Sequence, residues 1–229
     1  MVVENTRLCV CLCFMIKLAA MVLDQDLSRV AAIVLAAGGS SRMGQPKQLL
    51  PVRGRPMVRR VTEAVCASGL AQVVVVVGAH AEAVKDALEG LPVDIVTNPA
   101  WAEGMSISVR VGLHALQPDT QAVLMVLADQ PALVPDLIQR LVSRYWATAA
   151  PIVLPSYQGQ RGNPVLFDRA LFPELMAVEG DRGGRALIAR YAEQAEWVEV
   201  DDPAVITDID TRQDYERIWE LENDDRPLS

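Results

Sequence analysis

The sequence predicts a doubly wound, Rossmann-like α/β protein, a three-layer sandwich with a mainly parallel central sheet. Two observations predict it. Short apolar runs alternate with stretches of helical period, and runs such as VVVVV at residues 73–77 are apolar at every position rather than at every second one. Strands that are buried on both faces have this composition, which is typical of a parallel sheet between two helical layers. Ligands of such sheets bind at the carboxyl ends of the strands, so the loops that follow the strands should carry the function.

The individual elements follow from these runs and periods. Strands are predicted at residues 30–35, 72–77, 93–96, 122–127 and 151–154. Helices are predicted between them at residues 57–68, 81–89, 106–116 and 135–146. Because no low-complexity linker divides the series, we expect a single domain over residues 30–222 and a tail at residues 223–229.

Composition and charge limit the kinds of ligand that the protein can bind. The chain has 229 residues, 51% of them hydrophobic and 22% charged, which is sufficient for one large core. Its formal net charge is −8, and it has no run of lysines and arginines, so we expect no binding of long nucleic acid. A single nucleotide remains compatible, provided that isolated cations or a metal ion gather at its site.

The chain starts with an apolar stretch at residues 8–23, which is shorter than the about 20 residues of a membrane-spanning helix. It lacks the clearly basic start and the small-residue cleavage site of a signal peptide. We therefore expect residues 1–29 to be a lead outside the fold, with translation beginning at Met15 or Met21, and no membrane partner. Three of the four cysteines lie in this lead and only Cys66 lies in the body, which indicates a reduced, cytoplasmic protein.

The loop after the first strand carries the most informative segment, LAAGGSSRMGQPKQLL at residues 35–50. Gly38 and Gly39 let the backbone turn sharply and approach a ligand, and the exposed N–H groups of such a loop form a concave anion site. Arg42 and Lys47 add two cations, so the segment suits a triphosphate. Neither G-x-G-x-x-G nor G-x-x-x-x-G-K-[ST] is present, which disfavours a dehydrogenase and a P-loop ATPase. The glycines alone are equally compatible with a plain flexible connection.

Three aspartates in later loops are candidate metal ligands. Asp129 follows the strand at residues 122–127, which should place its carboxylate at the edge of the sheet facing the glycine loop, where a hard cation finds oxygen ligands. Capping of the next helix is the alternative. Asp208 and Asp210 alternate about Ile209, so both carboxylates should point the same way while Ile209 enters the core. Either could complete the metal site, whereas Asp210 or Thr211 could instead cap the final helix.

Further polar residues lie at predicted turns and helix starts. Ser106 and Ser108, followed by Arg110, begin a helix whose free N–H groups favour an anion. Met105 is expected to be a packing residue rather than a ligand contact. Trp101 is compatible with stacking on a ring and equally with covering the edge of the core.

Two later loops contain isolated basic residues. Arg161 and Asn163 precede a short apolar strand, and Gly183 and Arg185 belong to the segment GDRGGR that opens another helix. Both loops suit contacts with an acceptor substrate, although ordinary surface turns explain the residues equally well.

The segment LAAGGSSRMGQPKQLL resembles the signature L-A-A-G-x-S-x-R-M-G-x-x-K-x-L-L of the molybdenum cofactor cytidylyltransferases, within the wider MobA-like nucleotidyltransferase superfamily. The segments EGMSISVRVG, ADQPAL, RGNPVLF, GDRGGR and DIDT are similar to the same family in the same order, so the resemblance covers residues 30–219. It implies a GT-A-type fold in which the glycine loop wraps the triphosphate.

The resemblance also implies roles for individual residues. It implies nucleotide binding by Leu35, Ala36, Ala37, Gly38, Gly39, Ser40, Arg42, Lys47, Ser106 and Arg110. It implies acceptor binding by Arg161, Asn163, Gly183 and Arg185. It implies Mg²⁺ binding by Asp129 and by Asp210 or Asp208, and catalysis that depends on Arg42, Lys47 and Asp129. The implied reaction transfers CMP from CTP to the terminal phosphate of molybdopterin cofactor and releases pyrophosphate, and a recipient molybdoenzyme would be the protein partner.

The identities of the nucleotide base and of the acceptor leave three alternative functions open. The guanylyl branch of the superfamily typically has LAGG where this sequence has LAAG, and the methyl group of Ala37 lies where the backbone would approach a larger purine, which favours CTP. A guanylyltransferase is the first alternative. A methylerythritol-phosphate cytidylyltransferase is the second, because its loop is followed by a similar P-K-Q, although GMSISVR and ADQP argue against it. A non-catalytic carrier of the finished cofactor is the third.

Overall fold

The computed structural model describes residues 27–39, 45–180, 184–209 and 211–216. Its strands are β1 (Val30–Ala36), β2 (Pro51–Val52), β3 (Arg55–Pro56), β4 (Gln72–Val77), β5 (Asp94–Thr97), β6 (Ala122–Leu127), β7 (Ile152–Tyr157), β8 (Gln160–Arg161), β9 (Val165–Asp168) and β10 (Glu196–Glu199). Its α-helices are α1 (Met57–Ala67), α2 (Ala81–Ala87), α3 (Met105–His114), α4 (Pro135–Thr148), α5 (Phe172–Ala177) and α6 (Arg185–Arg190). Residues 1–26 and 217–229 lie outside the described part, so the lead and the tail stay predictions.

The central sheet has the strand order β10-β7-β9-β6-β1-β4-β5, and β8 pairs with β7. Strand β1 lies parallel to both β4 and β6, and β4 lies parallel to β5. Alternate residues of β1 enter different cores: Val34 packs on one face of the sheet and Ile33 on the other. The predicted mainly parallel, doubly buried sheet is confirmed.

Helices cover both faces of the sheet. Helices α1, α2 and α4 contribute apolar residues to the core that contains Val34, and α3, α5 and α6 contribute to the core that contains Ile33. In α1 the buried residues Val58, Val61 and Val65 recur at spacings of three and four, which gives the helix one apolar face. In the described part of the chain, no helix is long and apolar enough to span a membrane.

One strand departs from the parallel pattern. Strand β9 is inserted between β6 and β7 and lies antiparallel to both. Residues 158–164 join β7 to β9 and include the β8 hairpin; this connection is too short for the crossover that a parallel neighbour requires. The loop contains a cis peptide bond between Asn163 and Pro164.

A small satellite core lies beyond the glycine loop. Leu50, Val52 and Met57 surround the fully buried Ile209, and Tyr215 packs against this cluster. The predicted burial of Ile209 is confirmed. The Tyr215 hydroxyl also donates a hydrogen bond to the carbonyl oxygen of Pro51 at 2.6 Å. The cluster therefore holds the segment after the glycine loop against the segment that contains Asp208.

Candidate active site

Lys47 and Asp129 form an ion pair at the carboxyl edge of the sheet. The Lys47 ammonium lies 2.6 Å from Oδ2 of Asp129 and donates a second hydrogen bond of 3.2 Å to the carbonyl oxygen of Ile209. The backbone N–H of Ile209 in turn donates to the carbonyl oxygen of Asp129 at 3.1 Å. Three segments that are distant in sequence meet at this point, and the satellite core fixes two of them.

The second oxygen of the Asp129 carboxylate, Oδ1, differs from Oδ2 in its hydrogen bonding. Oδ1 is buried and accepts no hydrogen bond from the described residues. Helix α4 begins after Val134 and has no side-chain cap, so the interpretation of Asp129 as a helix cap is wrong. A buried carboxylate oxygen without a donor is the kind of group that a hard cation satisfies.

The second predicted metal segment is described only in part. Asp208 Oδ1 accepts a 2.6 Å hydrogen bond from Nε2 of the buried Gln130. Asp210 lies outside the described residues, and within them no group of three potential metal-ligating side chains is found. Thr211 makes a reciprocal cap with Asp214: its hydroxyl accepts from the Asp214 N–H at 3.2 Å, and its own N–H donates to the Asp214 carboxylate at 2.8 Å. Capping of the final helix is thereby the role of Thr211.

A cavity of about 300 Å³ opens beside this ion pair. Of the residues predicted to bind nucleotide, those that line it are Leu35, Ala37, Gly38, Gly39 and Lys47, together with Asp129. Ser40 and Arg42 lie outside the described residues. Ala36 packs in the core that contains Val34. In the described part, Ser106 and Arg110 line neither this cavity nor the smaller cavity next to it.

Several residues that the sequence pattern did not assign to the site also line this cavity. Gln48 is buried and donates a 2.7 Å hydrogen bond from Nε2 to the carbonyl oxygen of Gly38, which fixes the entry to the glycine loop. Met105, which was expected to be a packing residue, is 41% exposed and borders the cavity. Gly104 has a φ of 124°, a backbone conformation that side chains disfavour, and it lets the chain turn into α3 at the cavity wall.

An adjacent, smaller cavity of about 70 Å³ contains the residues predicted to bind the acceptor. Arg161, Asn163 and Arg185 line it, whereas Gly183 lies outside the described residues. The two cavities share Leu35, Met105 and Leu127 as walls.

The electrostatics of the smaller cavity favour an anion. Burial and the neighbouring charge of Arg185 lower the pKa of the Arg161 guanidinium, and Asp208 opposes this effect. An arginine remains charged at neutral pH, so the cavity is lined by two cations, the half-buried Arg161 and the exposed Arg185. A phosphate or another anion between them would relieve this repulsion.

Close backbone packing shapes the wall of the smaller cavity. A Cβ atom at Gly184 would lie 2.6 Å from Cζ of Phe167, so only glycine lets the start of α6 approach β9 this closely. This approach places Arg185, the first residue of α6, beside the strands of the sheet.

The fold and the site together define a nucleotidyltransferase. A glycine loop after the first strand, a lysine–aspartate pair and a neighbouring basic pocket meet at the carboxyl edge of a mainly parallel sheet. The chain belongs to the family of the MobA-like NTP transferase domain, and residues 32–195 match the sequence pattern of that family.

Known proteins of similar sequence include an oxidoreductase and a cytidylyltransferase. The chain is 32% identical over 207 residues to nicotine blue oxidoreductase of Paenarthrobacter nicotinovorans, covering 85% of this chain and 98% of the relative. It is 26% identical over 194 residues to molybdenum cofactor cytidylyltransferase of Escherichia coli K12, covering 82% and 95%. The crystal structure of Rv0371c from Mycobacterium tuberculosis H37Rv superposes with a TM-score of 0.76 at 31% identity, covering 85% and 99%. The same protein in complex with manganese gives a TM-score of 0.73.

Proposed function

We propose that this protein transfers CMP from CTP to the terminal phosphate of molybdopterin cofactor, releasing pyrophosphate. The observation that carries the proposal is the pair of cavities that share a wall, one beside Lys47 and Asp129 and the other between Arg161 and Arg185. A transferase for two phosphorylated substrates needs such neighbouring anion sites, because both phosphates must approach each other within bonding reach.

The donor occupies the larger cavity in this proposal. The triphosphate lies on the backbone of Gly38 and Gly39, with Lys47 as the cation that faces it. Arg42, one of the predicted catalytic residues, would add a second positive charge. The Gln48 hydrogen bond to Gly38 fixes the start of the loop before the nucleotide arrives, which lowers the entropic cost of binding at that point.

The acceptor reaches the smaller cavity with its terminal phosphate, the part of it that about 70 Å³ can hold. Its terminal phosphate lies between Arg161 and Arg185, and Asn163 supplies a polar contact on the same wall. A phosphate oxygen of the acceptor attacks the α-phosphorus of CTP, forming a new P–O bond. The bond from the α-phosphorus to the oxygen that bridges it to the β-phosphorus breaks, and pyrophosphate leaves with that electron pair.

Lys47 and the glycine loop act on the charge that this displacement redistributes. Negative charge grows on the oxygens of the leaving pyrophosphate, where a fixed ammonium and backbone N–H groups stabilise it without reorganisation. No protein nucleophile is required, because the acceptor provides its own attacking oxygen.

A divalent cation fits the residues that are present. Asp129 would hold it through Oδ1, the buried oxygen that has no donor among the described residues, with Asp208 or Asp210 as a further ligand. The manganese complex of the similar protein Rv0371c supports a divalent metal at such a fold. When bound, Mg²⁺ would supply charge neutralisation at the phosphates.

The choice of CTP rests on Ala37, whose side chain borders the donor cavity. Pyrophosphate release should be measured with CTP, GTP and ATP, each with molybdopterin cofactor and with methylerythritol phosphate. Strong preference for CTP and molybdopterin cofactor is expected. Preference for GTP would refute the cytidylyl assignment, turnover of methylerythritol phosphate would refute the acceptor, and cofactor binding without pyrophosphate release would favour a carrier.

A second candidate function comes from the 32% identity to nicotine blue oxidoreductase. The nearly full coverage of that relative favours testing a reductase activity in this chain. The sequence lacks the G-x-G-x-x-G fingerprint of dinucleotide binding, which argues against it. Oxidation of NADH or NADPH, followed by the loss of their absorbance with nicotine blue as the acceptor, would reveal such an activity. The transferase proposal expects no oxidation above background.

A further inference from the structure

Trp101 lies at the donor cavity but has no role in the proposed reaction. It begins a short 3₁₀ helix, Trp101–Glu103, in the loop after β5, and its side chain borders the donor cavity. The residue is 38% exposed, so part of the indole is left accessible to a ligand.

Two glycines pack closely against the side chain of Trp101. A Cβ atom at Gly39 would lie 2.8 Å from Cζ3 and 3.1 Å from Cη2 of Trp101. A Cβ atom at Gly78 would lie 2.7 Å from the Trp101 Cβ and 2.6 Å from the carbonyl oxygen of Ala37. The side chain therefore extends from the loop after β4 to the glycine loop in direct contact with both backbones.

The loop that carries Trp101 is held by the fully buried Asn98. Its backbone N–H donates to the Val77 carbonyl oxygen at 2.8 Å, and its side-chain Oδ1 accepts from the Ala100 N–H at 2.9 Å. Its Nδ2 donates to the Ser108 hydroxyl at 2.9 Å, which ties the loop to α3. A side chain on so constrained a loop loses little entropy when a ligand contacts it.

The walls of the donor cavity differ in chemistry. Lys47 and Asp129 provide charge, whereas Trp101, Ala37 and Met105 provide apolar surface. A nucleoside triphosphate has the same two-part character, with charged phosphates and a flat aromatic base. Aromatic side chains bind bases of any identity by stacking, because every base has a π face.

We propose that Trp101 is the platform on which the base of the nucleoside triphosphate stacks, and that Gly39 is a glycine so that the indole can lie against the phosphate loop. This proposal rests on the proposed function only in requiring a nucleotide in the donor cavity. It does not depend on the identity of the base.

Intrinsic tryptophan fluorescence tests the proposal without turnover. The full chain is titrated with CTP, GTP and ATP in the presence of Mg²⁺ and without acceptor, so the signal reports binding alone. Stacking should quench the emission, and Trp101→Phe should remove that quenching. Trp197→Phe is the matched control, because Trp197 is 40% exposed and lies on β10 away from the cavity. Quenching that persists in Trp101→Phe would overturn the proposal.

Affinity provides the second measurement. Trp101→Ala should raise the Kd of the bound nucleotide roughly tenfold to hundredfold, the range expected for the loss of one base–aromatic stack. An unchanged or lower Kd in a folded Trp101→Ala protein would show that the indole merely fills the space, and would overturn the proposal. If GTP binds and quenches the emission whereas CTP does not, the cytidylyl assignment is wrong and the stacking role of Trp101 is supported. If CTP is turned over but its Kd is the same with and without Trp101, the cytidylyl assignment is supported and the stacking role is wrong.

A double-mutant cycle with Gly39→Ala separates the indole contact from other roles of the loop. In the parent protein the new methyl group meets the indole, so the Kd should rise about tenfold. In the Trp101→Ala background the methyl group has space, and the rise should shrink to less than about threefold. Equal effects in the two backgrounds would contradict the role assigned to Gly39.

Discussion

At the scale of single residues, Asp129 uses its two carboxylate oxygens differently. Oδ2 accepts from Lys47 at 2.6 Å, and Oδ1 is buried without a donor among the described residues. Leaving a buried acceptor unsatisfied typically costs about 1–3 kcal/mol, more for a charged group. Such a cost is retained at a site that a ligand completes, which distinguishes Asp129 from a purely structural carboxylate.

Asp129→Asn should therefore reduce pyrophosphate release by roughly 10²- to 10³-fold, the loss typical of one stabilising group at a reaction centre. The amide keeps the size of the side chain but lacks the negative charge that holds Lys47 and a cation. Release is measured with CTP and acceptor at saturating Mg²⁺, and circular dichroism verifies the fold. Asp119→Asn, at an exposed turn, is the matched control and should stay fully active. An active, folded Asp129→Asn protein would remove Asp129 from the reaction centre.

The residue pattern of the sequence singled out Lys47 and Asp129 but not the amides beside them. A charge beside a glycine loop and an aspartate at a strand end are informative without coordinates, and the fold brings these two residues together across 82 positions. Gln48 and Gln130 gave no comparable signal, because an uncharged amide acquires its role only from the partner that the fold supplies. Those partners, Gly38 and Asp208, are set by backbone course rather than by local sequence.

At the scale of elements, the buried parallel strands were predicted well, whereas one edge strand was missed and the direction of β9 was not predicted. The predicted bounds of β4 and β6 coincide with the observed ones, since continuous apolar runs end sharply at polar loops. Strand β10, with the sequence EWVE, was missed because an edge strand needs no apolar run and carries glutamates. The antiparallel direction of β9 follows from the short connection at residues 158–164 and not from the composition of the strand.

Helix α4 is fastened to this antiparallel part of the sheet through Tyr145. Its hydroxyl donates to the Asp168 carboxylate at 2.5 Å, and burial together with this hydrogen bond raises the pKa of Tyr145 above its usual value. A raised pKa in the folded state stabilises the fold below the unfolded pKa of about 10, and this contribution is lost as the pH rises through the folded value.

Chemical denaturation of the parent protein and of Tyr145→Phe across the alkaline range tests this coupling. At neutral pH the variant should be less stable by about 1–3 kcal/mol, because Asp168 loses its buried donor. Above about pH 10 the difference in unfolding free energy should narrow, since phenylalanine does not titrate. Two parallel stability curves would show that Tyr145 does not carry the pH dependence.

At the scale of the whole molecule, the site divides between two parts of one sheet. Strands β1, β4 and β6 are parallel, and the loops at their carboxyl ends provide the glycine loop, Gly78 and Asp129 for the donor. The hairpin before the antiparallel β9 and the first residue of α6 provide Arg161 and Arg185 for the acceptor. Changes in the second part should therefore alter acceptor binding without altering nucleotide binding.

Arg161→Gln tests this division. The substitution keeps a polar side chain but removes one of two cations that face the acceptor phosphate, and a charge-assisted hydrogen bond contributes about 1.5–3 kcal/mol. The KM for the acceptor should rise at least about tenfold. The Kd for CTP, measured by fluorescence without acceptor, should stay within about twofold, because Arg161 does not line the donor cavity.

Arg212→Gln, a substitution at an exposed side chain, is the control and should change neither quantity. If Arg161→Gln weakened both substrates equally, the two cavities would have to be one continuous site, and the assignment of separate donor and acceptor parts would be wrong.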